Sequence, residues 1–186
     1  MSAEYFDVFD AISFATRYLK DREERVMRPM IMDALALAGQ AEDEDEFVVS
    51  LLFYVSSHSA AAASRIEKLP LDDEVRRAVR ALEFNMDDHI PDPFHHRVQR
   101  IKDLTQSENA SHRMSGFWAL SVYCRYLVLH ERLIKQDIRY YEGKEPTPQV
   151  ENKLESLKSS LRGMQSIKRA AVHAFGDDFK KSTSGL

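Results

Sequence analysis

The chain of 186 residues has one cysteine, Cys124, which excludes an internal disulfide framework and any multi-cysteine zinc site. Glycine and proline occur only six times each, too few for the turns of an all-β fold. No segment of useful length alternates with a strand period. The longest apolar stretch, Phe47 to Val55, contains Ser50 and is far shorter than the ~18 residues a membrane span needs. The opening MSAEYFDVFD is acidic and lacks the basic start of a signal peptide. A cytoplasmic protein without membrane contact is therefore expected.

Charge of one sign is also scarce overall, at a net −4, but it is unevenly spread. Residues 1–93 carry 20 acids and 10 bases, and residues 94–186 carry 10 acids and 16 bases. Halves of opposite sign can polarise a surface or attract one another. The positive half has no dense Lys/Arg cluster interleaved with aromatics, which argues against nucleic acid. With 44% hydrophobic residues, a chain of this length can bury roughly 70% of its surface in one core.

What is present is helical periodicity. Phe6, Phe9, Ile12, Phe14, Ala15, Tyr18 and Leu19 predict a first helix over about 4–21. Pro29 opens a second helix that Gly39 ends as a left-handed cap. Five acids, Glu42 to Glu46, precede the run FVVSLLFYVSSHSAAAASRI, where a helix macrodipole favours them. That third helix is apolar nearly all round and is expected to be central and buried. A fourth follows Pro70 and Asp72, NMDDHIPDPFHH is a loop, and a short helix carries Val98, Ile101 and Leu104. TQSENASHR reads as a polar connection, and a long helix spans about 114–141. The C-terminal helix occupies 147–175, and 176–186 read as a flexible tail. The expectation is an all-α bundle of six or seven helices, one domain over 1–175.

Several stretches, in order, carry a family resemblance over roughly residues 10–162. DAISFATRYLKDREERVMRPMIMDALALAG, FVVSLLFYVSSHS, LPLDDEVRRAVRAL, ALSVYCRYLVLHERL and EPTPQVENKLESLKSSL resemble HD-domain phosphohydrolases of the RelA/SpoT-homologue type. The resemblance implies an HD-domain-like fold. It also implies a divalent metal held by a His, a His-Asp pair and a final Asp, with an acidic pair nearby. Those positions fall here on Arg28, on Phe53 and Tyr54, on Cys124, and on Ser57 and His58. Phe and Tyr lack the donors that Mn²⁺, Zn²⁺ or Mg²⁺ require in that role, and Arg28 adds a positive charge. The Gly-x-Pro-Tyr part of the family's guanine-nucleotide loop is replaced by the shorter, acidic DREERVM. The resemblance thus implies the fold and argues against the activity.

Other residues offer chemistry, each beside a plainer reading. Asp87, Asp88, His89, Asp92, His95 and His96 combine carboxylates and imidazoles that suit zinc, manganese or iron. Their irregular spacing reads first as a solvated loop. The acidic run 42–46 has the i, i+3 spacing of Mg²⁺ sites but lacks a good facing set, so an exposed helix start is favoured. Cys124, between Tyr123 and Arg125 in an apolar helix, reads as a buried structural thiol. Trp118, Tyr123 and Tyr126 read as core or interface. Leu154, Leu157, Leu161 and Met164 form a stripe that either packs on its own domain or makes an interface.

Two functions follow. The first is a non-catalytic binding or regulatory protein on a degenerate HD-type fold, acting through a protein partner or a homodimer, with no cofactor. The second is a metal-dependent nucleotide phosphohydrolase using DDHIPDPFHH or residues 42–46. A nucleotide ligand is compatible with the first but has no motif to support it.

Overall fold

The computed structural model describes residues 5–20, 23–25, 28–83 and 93–184, and the side chains of 23–25, 28 and 93 lie outside the described residues. The fold is all-α. Nine helices lie among the described residues: α1 (Val8–Leu19), α2 (Met30–Ala38), α3 (Glu44–His58), α4 (Ala60–Ile66), α5 (Asp73–Leu82), α6 (Pro93–Thr105), α7 (Ala110–Glu142), α8 (Pro148–Phe175) and α9 (Asp177–Ser182). A short antiparallel pair, β1 (Glu23–Arg25) and β2 (Arg28–Pro29), precedes α2. The chain divides into two compact units, Met1–Val122 and Tyr123–Leu186.

In the first unit, α3 is the hub. Every side chain from Val48 to Val55 is buried, so the helix has no water-facing side there. Helices α1, α2, α4 and α5 all pack against it. A buried helix start needs its free N–H groups satisfied. The Asp43 carboxylate accepts from the Glu46 amide at 2.7 Å, and Glu46 Oε2 accepts from the Glu42 amide at 2.7 Å. Trp118 Nε1 on α7 donates to the other Asp43 oxygen at 3.1 Å. The acidic run therefore caps α3. Its Asp45 also accepts from the Tyr5 hydroxyl at 3.1 Å, and burial, followed by the neighbouring Asp43, raises the Asp45 carboxyl above its ordinary range.

Three local expectations are corrected. The expected third helix is two, because Ser59 leaves helical geometry and its hydroxyl accepts from the Ala62 amide at 3.3 Å, capping α4. Gly39 ends α2 with φ −65°, not in the left-handed region. Its value is closeness, since a Cβ there would lie 3.1 Å from the Leu35 carbonyl oxygen. The long helix begins at Ala110, because Asn109 Oδ1 accepts from the amides of Ser111 and His112 at its start.

Side chains tie the remaining ends. Arg76 donates to the carbonyls of Glu67, Leu69 and Leu71 and orders the turn before α5. Arg100 on α6 donates to the carbonyls of Arg80 and Glu83 at the end of α5. Arg77 on α5 donates to Ser111 and Ser115 on α7. Gly116 on α7 is fully hemmed in, since a Cβ would lie 2.6 Å from the Thr105 nitrogen and 2.8 Å from the Leu104 carbonyl carbon. Both are backbone atoms and cannot swing away. Gly116→Ala is expected to lower unfolding free energy by ~1–3 kcal/mol despite alanine's better helix propensity. Urea denaturation checks this, and an unchanged or higher midpoint would show that α6 and α7 separate freely.

The second unit is an antiparallel hairpin closed by a short helix. Thr147 accepts from the Val150 amide at 3.3 Å and Pro148 occupies the first turn of α8. Lys158 pairs with Glu142 near the turn, and Lys168 pairs with Glu131 about three turns further along α8. Residues 177–182, expected to be a tail, form α9. Gly176, at φ +56°, makes the bend that L side chains resist, and Phe179 is buried. Arg125 Nε donates to the Ser182 carbonyl at 3.1 Å and holds the end of α9.

Candidate functional site

Phe53, Tyr54 and Cys124, positions to which the family resemblance assigns metal ligands, are buried. Phe53 and Tyr54 are each 1% exposed and belong to the core of α3. The Tyr54 ring stacks on His58, with centroids 4.3 Å apart and planes 22° from parallel. His58 Nδ1 lies 2.7 Å from the Tyr54 carbonyl, a contact in which the nitrogen donates. Ser57 is exposed on the far side of the same turn. Arg28 has its side chain outside the described residues. In the second unit, Cys124 is fully buried, and burial pushes its thiol up to about 12. Neither an aromatic pair in the core nor a protonated thiol supplies an anionic donor at neutral pH.

The other candidate ligands do not converge either. Asp87, Asp88, His89 and Asp92 lie outside the described residues. His95 and His96 are exposed on α6. Among the described residues, no group of three or more His, Cys, Asp or Glu side chains is arranged to hold a metal ion. Residues 42–46 spend Asp43 and Glu46 on the cap of α3.

The α8 face is the more developed feature. Leu154, Leu157, Leu161 and Met164 fall on one stripe and all remain half-buried. Ala171 is the one fully buried residue of this helix of 28 residues. Helices of this length draw most of their stability from packing an apolar face, and α8 packs its face only in part. Lys153, Arg162 and Arg169 are exposed on the same helix and form no ion pair among the described residues.

One buried charge in this unit escaped the sequence reading. Glu131, with its side chain 10% exposed, accepts from Lys135 and Lys168, and Gln165 donates to it at 3.4 Å. Burial alone would raise its carboxyl. The hydrogen bonds from the two lysines outweigh it and hold the group down to about 2. The i, i+4 spacing to Lys135 was visible in the sequence, whereas Lys168 and Gln165 come from α8. No helix is long and apolar enough to cross a membrane among the described residues. Comparison with protein-family models, curated proteins and solved structures found no match.

Two outcomes test these assignments. The Glu131 carboxyl is lowered from 4.5 to about 2 in the folded chain, so the folded form holds fewer protons than the unfolded form between those values. Its contribution is complete above about 4.5 and is lost as pH falls towards 2. Thermal melts between pH 7 and pH 2 should show that loss, and Glu131→Gln should lower stability at pH 7 while flattening the acid decline. Native protein should resist maleimide at Cys124 and react only after unfolding, as mass spectrometry would report. Rapid labelling of the folded chain would contradict the buried, protonated thiol.

Proposed function

We propose that the chain is a non-catalytic binding protein of degenerate HD type that self-associates as a homodimer. The observation that carries this is the half-covered stripe of Leu154, Leu157, Leu161 and Met164 on α8, on a helix whose Lys153, Arg162 and Arg169 form no ion pair among the described residues. The core aromatics Phe53 and Tyr54 and the protonated Cys124 support the loss of metal chemistry. The occupant of the stripe is a second copy. The second unit carries net positive charge and the first carries net negative charge. Two α8 helices facing each other would repel through Lys153, Arg162 and Arg169. The basic α8 of one copy against the acidic first unit of the other is attractive, and each copy offers both surfaces. Such complementarity speeds encounter and fixes orientation, while the apolar stripe supplies desolvated contact.

Light scattering on the full chain should give twice the chain mass at low ionic strength and a shift towards monomer as salt rises. The double change Leu157→Glu and Leu161→Glu should give a monomer. Those leucines also serve the hairpin, so Arg162→Glu, on an exposed side chain, provides the cleaner variant and should weaken the dimer with the circular dichroism unchanged. A monomer at every concentration, or release of phosphate from a nucleotide with added Mn²⁺, would overturn this reading.

A further inference from the structure

We infer that the cleft between α1 and α4 in the first unit binds a nucleoside phosphate. The site shares no residue with the α8 stripe or with the Phe53 and Tyr54 pair. Helices α1 and α4 each pack on α3 and leave between them a cleft of about 480 Å³. That volume is in the range of small-molecule sites. Phe14, Arg17 and Tyr18 line it from α1, Ser64 and Arg65 from the end of α4, and Lys68 from the turn that follows.

Three exposed cations share this cleft. The side chains of Arg17, Arg65 and Lys68 form no ion pair and no hydrogen bond among the described residues. The first unit has acids in excess, and Arg76, Arg77, Arg80 and Arg100 each find partners within it. Glu67 sits in sequence between Arg65 and Lys68, yet both its oxygens are taken by Arg80. Cations near helix C-termini complement the helix dipole. That accounts for the presence of Arg17 and Arg65. It does not account for a third cation, Lys68, on the same cleft, and together the three can donate charge-assisted hydrogen bonds to a phosphate.

The aromatic wall identifies the rest of the ligand. Phe14 and Tyr18 lie on one face of α1, with ring centroids 4.9 Å apart and planes tilted by 48°. Phe6 meets Phe14 edge-on at 6.5 Å, so the aromatic row runs along α1 and ends at Tyr18 beside the cations. The Tyr18 hydroxyl has no hydrogen-bond partner among the described residues. A planar base can stack at this end of the row. Ser64 Oγ donates to the Ala61 carbonyl at 3.1 Å and keeps lone pairs that can accept from a ribose hydroxyl. Three cations match the charge of a nucleoside diphosphate better than that of a monophosphate.

Titration calorimetry on the full chain without metal, using ADP, GDP, CDP and UDP, tests this. At least one should bind about tenfold more tightly than its monophosphate, its nucleoside or inorganic pyrophosphate. Arg65→Glu and Lys68→Glu, both on exposed side chains, should each weaken that binding by about tenfold or more, with melting temperature unchanged without ligand. Tyr18→Leu should bring the diphosphate down to the level of pyrophosphate; if it unfolds the chain, the pyrophosphate comparison on the unaltered protein still decides the role of the base. No binding by any nucleotide, equal binding of pyrophosphate, or displacement of the nucleotide by a short single-stranded oligonucleotide at lower concentration would overturn the inference. None of these readouts depends on oligomeric state, so failure here leaves the dimer proposal standing, and the reverse.

Discussion

A helix with no polar side must be surrounded, and that constraint organises the first unit. From Val48 to Val55 every side chain of α3 is buried. Fully burying a Val, Leu or Phe side chain contributes ~1.5–3 kcal/mol, so leaving any side of this helix open would cost more than most surface interactions return. Helices α1, α2, α4 and α5 are placed by the need to cover it. The polar start of α3 must then be satisfied where its apolar body is sealed. Asp43 and Glu46 do this locally, and Trp118 reaches from α7 to hold the second oxygen of Asp43. The cap thus links residues 75 positions apart in the chain. The cleft has the same origin, because α1 and α4 are both drawn to α3.

Much of the fold was legible because its largest energetic term has a strong sequence signature. The all-round apolar run announced α3, and the three-to-four spacing announced α1, α5, α7 and α8. The misplaced boundaries share a cause. At Ser59, Asn109 and Gly39 the helix ends on one side-chain hydrogen bond or one close backbone approach. SAAAAS contains good helix formers, so composition favoured continuation, and only the turn of Ser59 out of helical geometry breaks it. In GDDFKK one apolar residue, Phe179, anchors α9, and one residue makes no periodicity.

The sites were less legible because their members come from distant segments. Phe14, Arg17 and Tyr18 have the i, i+3, i+4 spacing of a shared helix face, yet that pattern alone is an ordinary amphipathic helix. Ser64, Arg65 and Lys68 acquire meaning only when α3 brings α4 beside α1. Glu131 looked like one acid among the leucines of a long helix until α8 supplied Lys168 and Gln165. Phe53 and Tyr54, by contrast, were apolar residues inside an apolar run. Their burial follows from the pattern whether or not the family resemblance holds.

The distribution of partners says more about the chain than its net charge does. Several acids of the first unit serve its structure: Asp43 and Glu46 cap α3, Glu67 holds Arg80, and Glu74 accepts from Ser111. Several of its arginines are likewise committed, Arg76 and Arg100 to carbonyls and Arg77 to serines. Against that background Arg17, Arg65 and Lys68 line one cleft, and their side chains make no ion pair or hydrogen bond among the described residues. Their arrangement makes physical sense as preorganisation: an anion that enters the cleft finds cationic donors already in place. Tyr18 beside them restricts which anions gain most, because only an anion that carries a planar group can also stack at this end of the aromatic row.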